Sequence, residues 1–136
     1  HFDWLLEAAP TTSPDDRVVP TYRCQRRPDR LAIGESIRLE PIAPHRGWWL
    51  SRVVPEEVTL DTPNGTAHVI QSGTIDSDPP SRLALMQSTV AWSQSRVVMT
   101  YRLELLGSGE ILATRIAPFS MDPDSSSSPG NGISLL

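Results

Sequence analysis

Apolar and polar side chains alternate along much of the chain, and the periodicity of an amphipathic helix is almost absent. Phe2, Trp4 and Leu6 alternate with His1, Asp3, Leu5 and Glu7, which is the period of two expected of a half-buried strand. The clearest alternation covers residues 97–105, and residues 111–116 are predicted to be its hairpin partner. Shorter strand signals fall on residues 18–24, 37–40, 48–54, 58–60, 66–70 and 73–75, and on two segments between 83 and 92.

About eight short strands separated by turn signals predict an all-β fold, either a small barrel or a sandwich. We expect a closed or nearly closed β-barrel of about eight strands, with little helix, over residues 1–117. The alternation ends at Pro118, and residues 122–132 consist largely of Ser, Pro, Gly and Asp. Residues 118–136 are therefore predicted to be a disordered tail.

Composition narrows the class of protein. The 136 residues are enough for one domain, and Cys24 is the single cysteine, which excludes an internal disulfide framework and a Cys-rich zinc site. No apolar run approaches the roughly 20 residues of a membrane span, and no segment has the features of a signal peptide. We expect a cytoplasmic protein that does not enter a membrane.

The charge is unevenly distributed. The formal net charge is −4, yet the segment from Arg17 to Arg46 contains seven arginines against three acidic residues, a local charge of +4. A solvated, arginine-rich loop is one interpretation of this segment. The other is a binding surface for phosphate, which the planar guanidinium group suits.

His1 and Asp3 are the first candidates for chemistry. They lie two residues apart in a predicted strand, so both side chains leave the same face, roughly 7 Å apart at the backbone. An imidazole and a carboxylate at this spacing can bind one divalent ion, although the spacing alone favours an exposed polar strand face.

His45 is the second candidate. It is predicted to lie in a polar loop at residues 43–47, beside Arg46, where it could bind or protonate a phosphate oxygen or simply be exposed. His68 is assigned to a sheet face, and Cys24 to a half-buried structural thiol. The sequence contains neither a G-x-S-x-G motif nor a glycine-rich phosphate loop, which disfavours nucleophile-elbow hydrolases and nucleotide-binding folds.

Residues 1–7, HFDWLLE, resemble the H-Y-D-F-R-L-E signature of the 3′-phosphoesterase domain of bacterial DNA ligase D. Other segments follow in the family's order. Residues 21–24 fall where the family has its second strand, residues 39–46 resemble the segment that ends in the family's loop histidine, and residues 65–75 match the spacing of G-T-V-x-x-W-D-x-G-T-W. Residues 82–83 and 101–103 resemble the final hairpins, so the resemblance covers residues 1–117.

The resemblance implies a small β-barrel that trims or heals 3′ ends of DNA or RNA–DNA strands in end-joining repair. Its members use Mn²⁺, or another divalent metal, to remove a 3′ ribonucleoside and then the 3′ phosphate, which leaves a hydroxyl that a DNA ligase or polymerase can use. The family's metal-binding H-x-D pair maps onto His1 and Asp3, and its phosphate-contacting histidine maps onto His45. Arg46 and the arginines between positions 23 and 30 would then hold the nucleic acid strand.

This sequence departs from the family pattern at several positions. The family's first metal histidine precedes the H-x-D motif, at a position that the sequence does not include. Leu5 stands where the signature has Arg, Trp49 stands where a Tyr follows the loop histidine, and Ile70-Gln71 replaces the W-D pair. The sequence therefore leaves two hypotheses: a Mn²⁺-dependent 3′-phosphoesterase, which we place first, and a catalytically degenerate barrel that binds nucleic acid or a protein partner.

Overall fold

The computed structural model describes residues 1–7, 13–60, 65–77, 85–118 and 131–136. Ten strands lie in these ranges: β1 (Phe2–Leu6), β2 (Arg17–Cys24), β3 (Ser36–Arg46), β4 (Glu56–Thr59), β5 (Thr66–Val69), β6 (Gln71–Ser77), β7 (Leu85–Trp92), β8 (Val97–Leu105), β9 (Ile111–Ile116) and β10 (Asn131–Leu135). Two short 3-10 helices cover Pro28–Arg30 and Gly47–Ser51.

Eight of the strands form a closed antiparallel barrel in the order β1-β10-β6-β7-β8-β9-β3-β2, while β4 and β5 form a separate two-stranded sheet. The predicted fold class is therefore confirmed. Strands β8 and β9 coincide with the predicted hairpin, and Gly109 in its turn has a φ of 87°, which favours glycine. No helix in the part of the chain that the structure describes is long and apolar enough to cross a membrane.

The predicted tail is wrong at its far end. Asn131–Leu135 forms β10, which pairs with both β1 and β6 and closes the barrel. Ile133 and Leu135 face the interior and are 1% and 0% exposed. Residues 119–130 lie outside the described residues, so the rest of the tail prediction is not tested.

Two predicted strand boundaries are also wrong. Residues 48–54, whose aromatic and β-branched composition favours a strand, contain the 3-10 helix Gly47–Ser51 instead. Strand β3 does not stop at Pro41 but continues to Arg46, so His45 lies in a strand and not in a loop. Beyond Leu39, β3 pairs only with β2 in the described structure, so the missing N–H groups of its prolines interrupt no ladder to β9.

Large aromatic side chains fill the barrel. The ring centroids of Trp4 and Trp92 are 5.6 Å apart, and Tyr101 meets Trp4 edge-on at 5.5 Å. Trp92 Nε1 donates a hydrogen bond to the Tyr101 hydroxyl (3.2 Å), which in turn donates to the carbonyl oxygen of Pro28 (2.7 Å). The interior thus holds the Pro28–Arg30 turn in place.

The same turn carries a buried ion pair. Arg27 donates two hydrogen bonds to the Asp29 carboxylate, at 2.9 and 2.6 Å, and Gln71 Nε2 donates a third at 3.1 Å. Burial raises the pKa of Asp29, but the hydrogen bonds from Arg27 and Gln71 and the charge of Arg27 outweigh it, so the net pKa is lowered. Arg26 pairs with Glu35 at 2.7 Å. Arg26 and Arg27 of the basic segment therefore each have an acidic partner within the fold.

A second apolar cluster lies outside the barrel. Trp4 points into the interior, so the next residue on β1, Leu5, points outward, where it is fully buried with Val19, Trp49 and Val69. We call these four residues the outer cluster. The helix Gly47–Ser51 lies over β10, since Ser134 Oγ donates to the Trp49 carbonyl oxygen at 3.2 Å. The outer cluster thus fixes the β4–β5 sheet and this helix against the barrel wall.

Candidate functional site

A cavity of about 710 Å³ lies beside the outer cluster, within the usual size range of small-molecule sites. Polar side chains line one part of it and apolar side chains the other. The lining residues are His1, Phe2, Asp3, Arg23, His45, Trp49, Leu60, Thr66, Ala67, His68, Ile70 and Leu136.

Asp3 is the centre of the polar part. Its Oδ1 accepts a hydrogen bond from Arg23 Nε at 3.2 Å and lies 3.9 Å from His1 Nε2. Its Oδ2 lies 4.0 Å from His45 Nε2. One carboxylate therefore faces a guanidinium group and two imidazole rings.

Strand pairing accounts for the contact between Asp3 and Arg23. His1 and Asp3 share the outer face of β1 because strand side chains alternate. Asp3 lies directly opposite Arg23 on β2, and Val19 of β2 lies opposite His45 on β3. Pairing of β1 with β2 thus brings Asp3 to Arg23, whereas His45 reaches Asp3 Oδ2, at 4.0 Å, from beyond the two register shifts between β2 and β3.

The three residues that the sequence singled out, His1, Asp3 and His45, all line this cavity. Their chemical roles stay predictions. Arg46 does not line the cavity; its guanidinium carbon lies 5.4 Å from the centre of the Trp48 ring. Of the arginines at positions 23 to 30, only Arg23 lines the cavity.

Sequence reasoning missed His68 as a site residue. The exposed imidazole of this β5 residue lines the cavity together with His45. The turn signal at residues 63–65 predicts the hairpin that carries His68. Its packing over the face of β1 depends on the outer cluster, which local pattern does not reveal.

Leu5 and Trp49, two of the departures from the family signature, are buried in the outer cluster. Trp49 is 7% exposed, and its ring meets His45 edge-on at 6.4 Å. Trp49 lines the cavity and Leu5 packs in the same apolar cluster, at two positions where the family signature has a tyrosine and an arginine with polar atoms. The cavity therefore has less charge for binding a phosphate than the family signature implies.

Cys24 is a structural thiol, as expected. It is buried, and its Sγ lies 3.7 Å from the Phe2 carbonyl oxygen, to which it donates a hydrogen bond. Burial, reinforced by the negative charge of Asp3, raises its pKa to about 12. The thiol therefore stays protonated at neutral pH and is a poor nucleophile.

The side chains of the cavity fit a divalent metal in kind but supply few ligands. Imidazole nitrogen and carboxylate oxygen are ligands that Mn²⁺ accepts. Two ligand atoms bound to one ion by bonds of about 2 Å cannot be more than about 4 Å apart. His1 Nε2 and Asp3 Oδ1 are 3.9 Å apart, which is just within that limit. Within the described ranges, no group of three or more His, Cys, Asp or Glu side chains is arranged to hold a metal. Water or a substrate oxygen would therefore have to complete the coordination.

Comparison with known proteins yields no relative. No family model matches the chain, and no curated protein or solved structure matches it either.

Proposed function

We propose that the protein binds the 3′ end of a nucleic acid strand in this cavity and hydrolyses its terminal phosphoester with the help of a divalent metal. Mn²⁺ is the metal we expect first. In this proposal the protein is a cytoplasmic 3′-phosphoesterase of end-joining repair, and a DNA ligase or polymerase uses its product. The observation that carries the proposal is the cluster of His1, Arg23 and His45 around Asp3 in one cavity.

The cluster suits a phosphate group. Arg23 is 38% exposed in its side chain, so its guanidinium group can bind a phosphate oxygen while its Nε stays on Asp3. His45 Nδ1 lies 3.2 Å from the Ala43 carbonyl oxygen, which favours a proton on Nδ1 and fixes the ring. A protonated His45 then directs Nε2–H into the cavity.

The chain's own residues then have separate roles. Arg23 holds the phosphate, and Asp3 holds Arg23 and faces both imidazoles. A metal held by His1 and Asp3 would neutralise a phosphate oxygen and lower the pKa of a bound water. As water oxygen bonds to phosphorus and the bond from phosphorus to the 3′ oxygen breaks, His45 donates its Nε2 proton to the departing 3′ oxygen. The products are a 3′-hydroxyl end and inorganic phosphate.

A 5′-labelled primer with a 3′ phosphate tests this function. In excess Mn²⁺ we expect the wild-type protein to convert it to the 3′-hydroxyl form, and His45→Ala to abolish conversion because the proton donor is lost. Arg23→Ala removes one charge-assisted contact and is expected to lower conversion roughly ten- to a hundredfold. Arg102→Ala is the matched control, since Arg102 is exposed on β8, which is four strands from β1 in either direction around the barrel.

The same experiment tests the second candidate, a barrel that binds nucleic acid without catalysis. This candidate is favoured by the 3.2 Å hydrogen bond from Arg23 to Asp3 Oδ1, because a cation already occupies one oxygen of the expected metal ligand. No conversion above a buffer control, with binding of the primer intact, would establish the second candidate. Equal conversion by the wild type and His45→Ala would overturn the role given to His45.

A further inference from the structure

Two arginines lie over the ring of Trp48, beside the cavity. The guanidinium carbon of Arg52 is 3.8 Å from the centre of the Trp48 ring, and that of Arg46 is 5.4 Å from it. Both distances are within the range of cation–π attraction. Trp48 is only half-buried, so part of this arrangement of one ring and two guanidinium groups faces solvent.

The two arginines are held differently. Arg52 Nε donates to the Trp48 carbonyl oxygen at 3.2 Å, and Arg52 Nη2 donates to Ser51 Oγ at 3.3 Å, so its guanidinium plane is fixed against the helix Gly47–Ser51. Arg46 has no such hydrogen bond among the described side chains and is the more distant from the ring. It can therefore leave the ring for a phosphate at little cost.

Neither arginine has an acidic partner in the described parts of the chain. In contrast, Arg26, Arg27 and Arg38 each pair with a carboxylate there. The positive charge beside Trp48 is therefore not neutralised by any described side chain, and it is complementary to a polyanion.

The stack is continuous with the cavity. The Trp48 ring meets the Trp49 ring edge-on at 5.0 Å, and Trp49 both lines the cavity and contacts the His45 ring. Trp48 is thus one aromatic ring removed from the cavity wall. A strand that ends in the cavity would pass over it.

We propose that Trp48 and Arg52 form a stacking platform for a base of single-stranded nucleic acid near the 3′ end, with Arg46 binding the adjacent phosphate. The proposal rests on the proposed function for the direction of the strand. Aromatic and guanidinium planes bind bases of any sequence, because every base has a π face. The platform therefore selects single strands over duplexes and does not select a sequence.

Binding without turnover tests the platform separately from catalysis. The probe is a 5′-fluorescein oligothymidylate of about eight nucleotides with a 3′ hydroxyl, in EDTA, followed by fluorescence anisotropy. We expect Trp48→Ala to weaken binding about 5- to 150-fold, the range for loss of one stacked base. Arg46→Ala is expected to reduce the slope of log affinity against log salt by about 0.7, the value for one phosphate contact to a single strand.

Controls separate recognition from folding. Trp48→Phe keeps a ring and should restore part of the affinity, whereas Trp48→Leu keeps apolar bulk and should not. Arg102→Ala, the same charge change on β8, should leave binding unchanged. Thermal unfolding of each variant shows whether the barrel is intact.

The outcomes distinguish this proposal from the proposed function. Loss of binding in Trp48→Leu with an unchanged unfolding temperature supports the platform, whether or not the protein converts a 3′ phosphate. Unchanged binding in Trp48→Leu overturns the platform and leaves the phosphoesterase activity to its own assay. Equal affinity for the oligonucleotide and for a stable hairpin duplex, closed at one end by its loop and long enough to stay paired, overturns it as well, because paired bases inside a duplex do not expose their faces.

Discussion

The barrel interior and the outer cluster are two apolar cores that both receive side chains from β1. They differ in the elements that enclose them. Trp4 packs with Trp92 and Tyr101 in an interior that eight strands enclose. Leu5, the next residue, is covered by short pieces: a two-stranded sheet and one short helix. The enclosed interior core specifies the shape of the barrel, whereas the cavity lies beside the outer cluster. Because the cavity lies outside the enclosed interior, polar side chains that line it can be substituted without changing the packing inside the barrel.

The largest expected effect is in the barrel interior. Trp4→Ala removes the ring that contacts both Trp92 and Tyr101, and we expect the free energy of unfolding to fall by about 3–5 kcal/mol. Trp4→Phe is the control and should cost clearly less, because Trp4 Nε1 is buried without a hydrogen-bond partner among the described residues. Urea unfolding measures both variants. A loss below about 1 kcal/mol for Trp4→Ala would contradict the interior packing described above.

The next prediction compares two aspartate–arginine pairs. Asp29 is 3% exposed in its side chain and Asp3 is 17% exposed, with Arg23 more exposed than Arg27. Asp29→Asn should lower the free energy of unfolding at pH 7 by about 1.5–3 kcal/mol, the range for hydrogen bonds to a charged group. Asp3→Asn should cost about 0–1 kcal/mol, as for a solvent-screened pair.

The Asp29–Arg27 pair should also respond to acid. Because the pKa of Asp29 is lowered in the folded protein, its contribution is complete above the ordinary carboxyl pKa of about 3.9 and is lost as the pH falls through the lowered value. The difference between wild type and Asp29→Asn should therefore narrow on acidification. Urea unfolding at several pH values measures this, and a difference that widens would contradict the assignment.

The last comparison is between two strand glycines, of which Gly132 has the smallest expected effect. A Cβ at Gly73 on β6 would overlap the carbonyl oxygen of Ala91 on β7, so Gly73→Ala should cost about 1–3 kcal/mol. A Cβ at Gly132 on β10 would meet Glu7 Oε1 at 3.5 Å and Leu50 at 3.8 Å, which are ordinary contacts. Gly132→Ala should therefore change stability by no more than about 0.5 kcal/mol. Thermal unfolding of the two variants side by side decides the point, and equal losses would contradict it.

The alternation of apolar and polar residues predicted the strands in which that alternation is regular. The alternation over residues 2–6 placed His1 and Asp3 on one face, and the alternation in residues 97–105 and 111–116 placed a hairpin where β8 and β9 lie. Strand β10 was missed because its five residues include Gly132 and Ser134, and only Ile133 and Leu135 carry an apolar alternation. Its partners, β1 and β6, are distant in sequence, and no local signal specifies such a pairing.

The candidate site could likewise be predicted only where it depends on strand periodicity. His1 and Asp3 follow from strand periodicity, whereas the approach of His45 depends on the register of β2 against β3, including two register shifts. Arg23 and His68 enter the cavity through strand pairing and through packing on the outer cluster. The sequence also gave no indication of which arginines pair with acids, since Arg26 and Arg27 meet carboxylates only in the folded chain.

The position of β10 has a consequence for biosynthesis. The first strand cannot be flanked on both sides until residues 131–135 have left the ribosome, since β10 is the strand that joins β1 to β6. Until then both of those strands present unpaired backbone edges, which are templates for association with other chains. At about 5–20 residues per second, the nascent chain keeps these edges exposed for several seconds of translation. Barrel closure therefore has to wait for residues 131–135, and a chaperone that shields strand edges has its greatest effect on this protein before β10 is made.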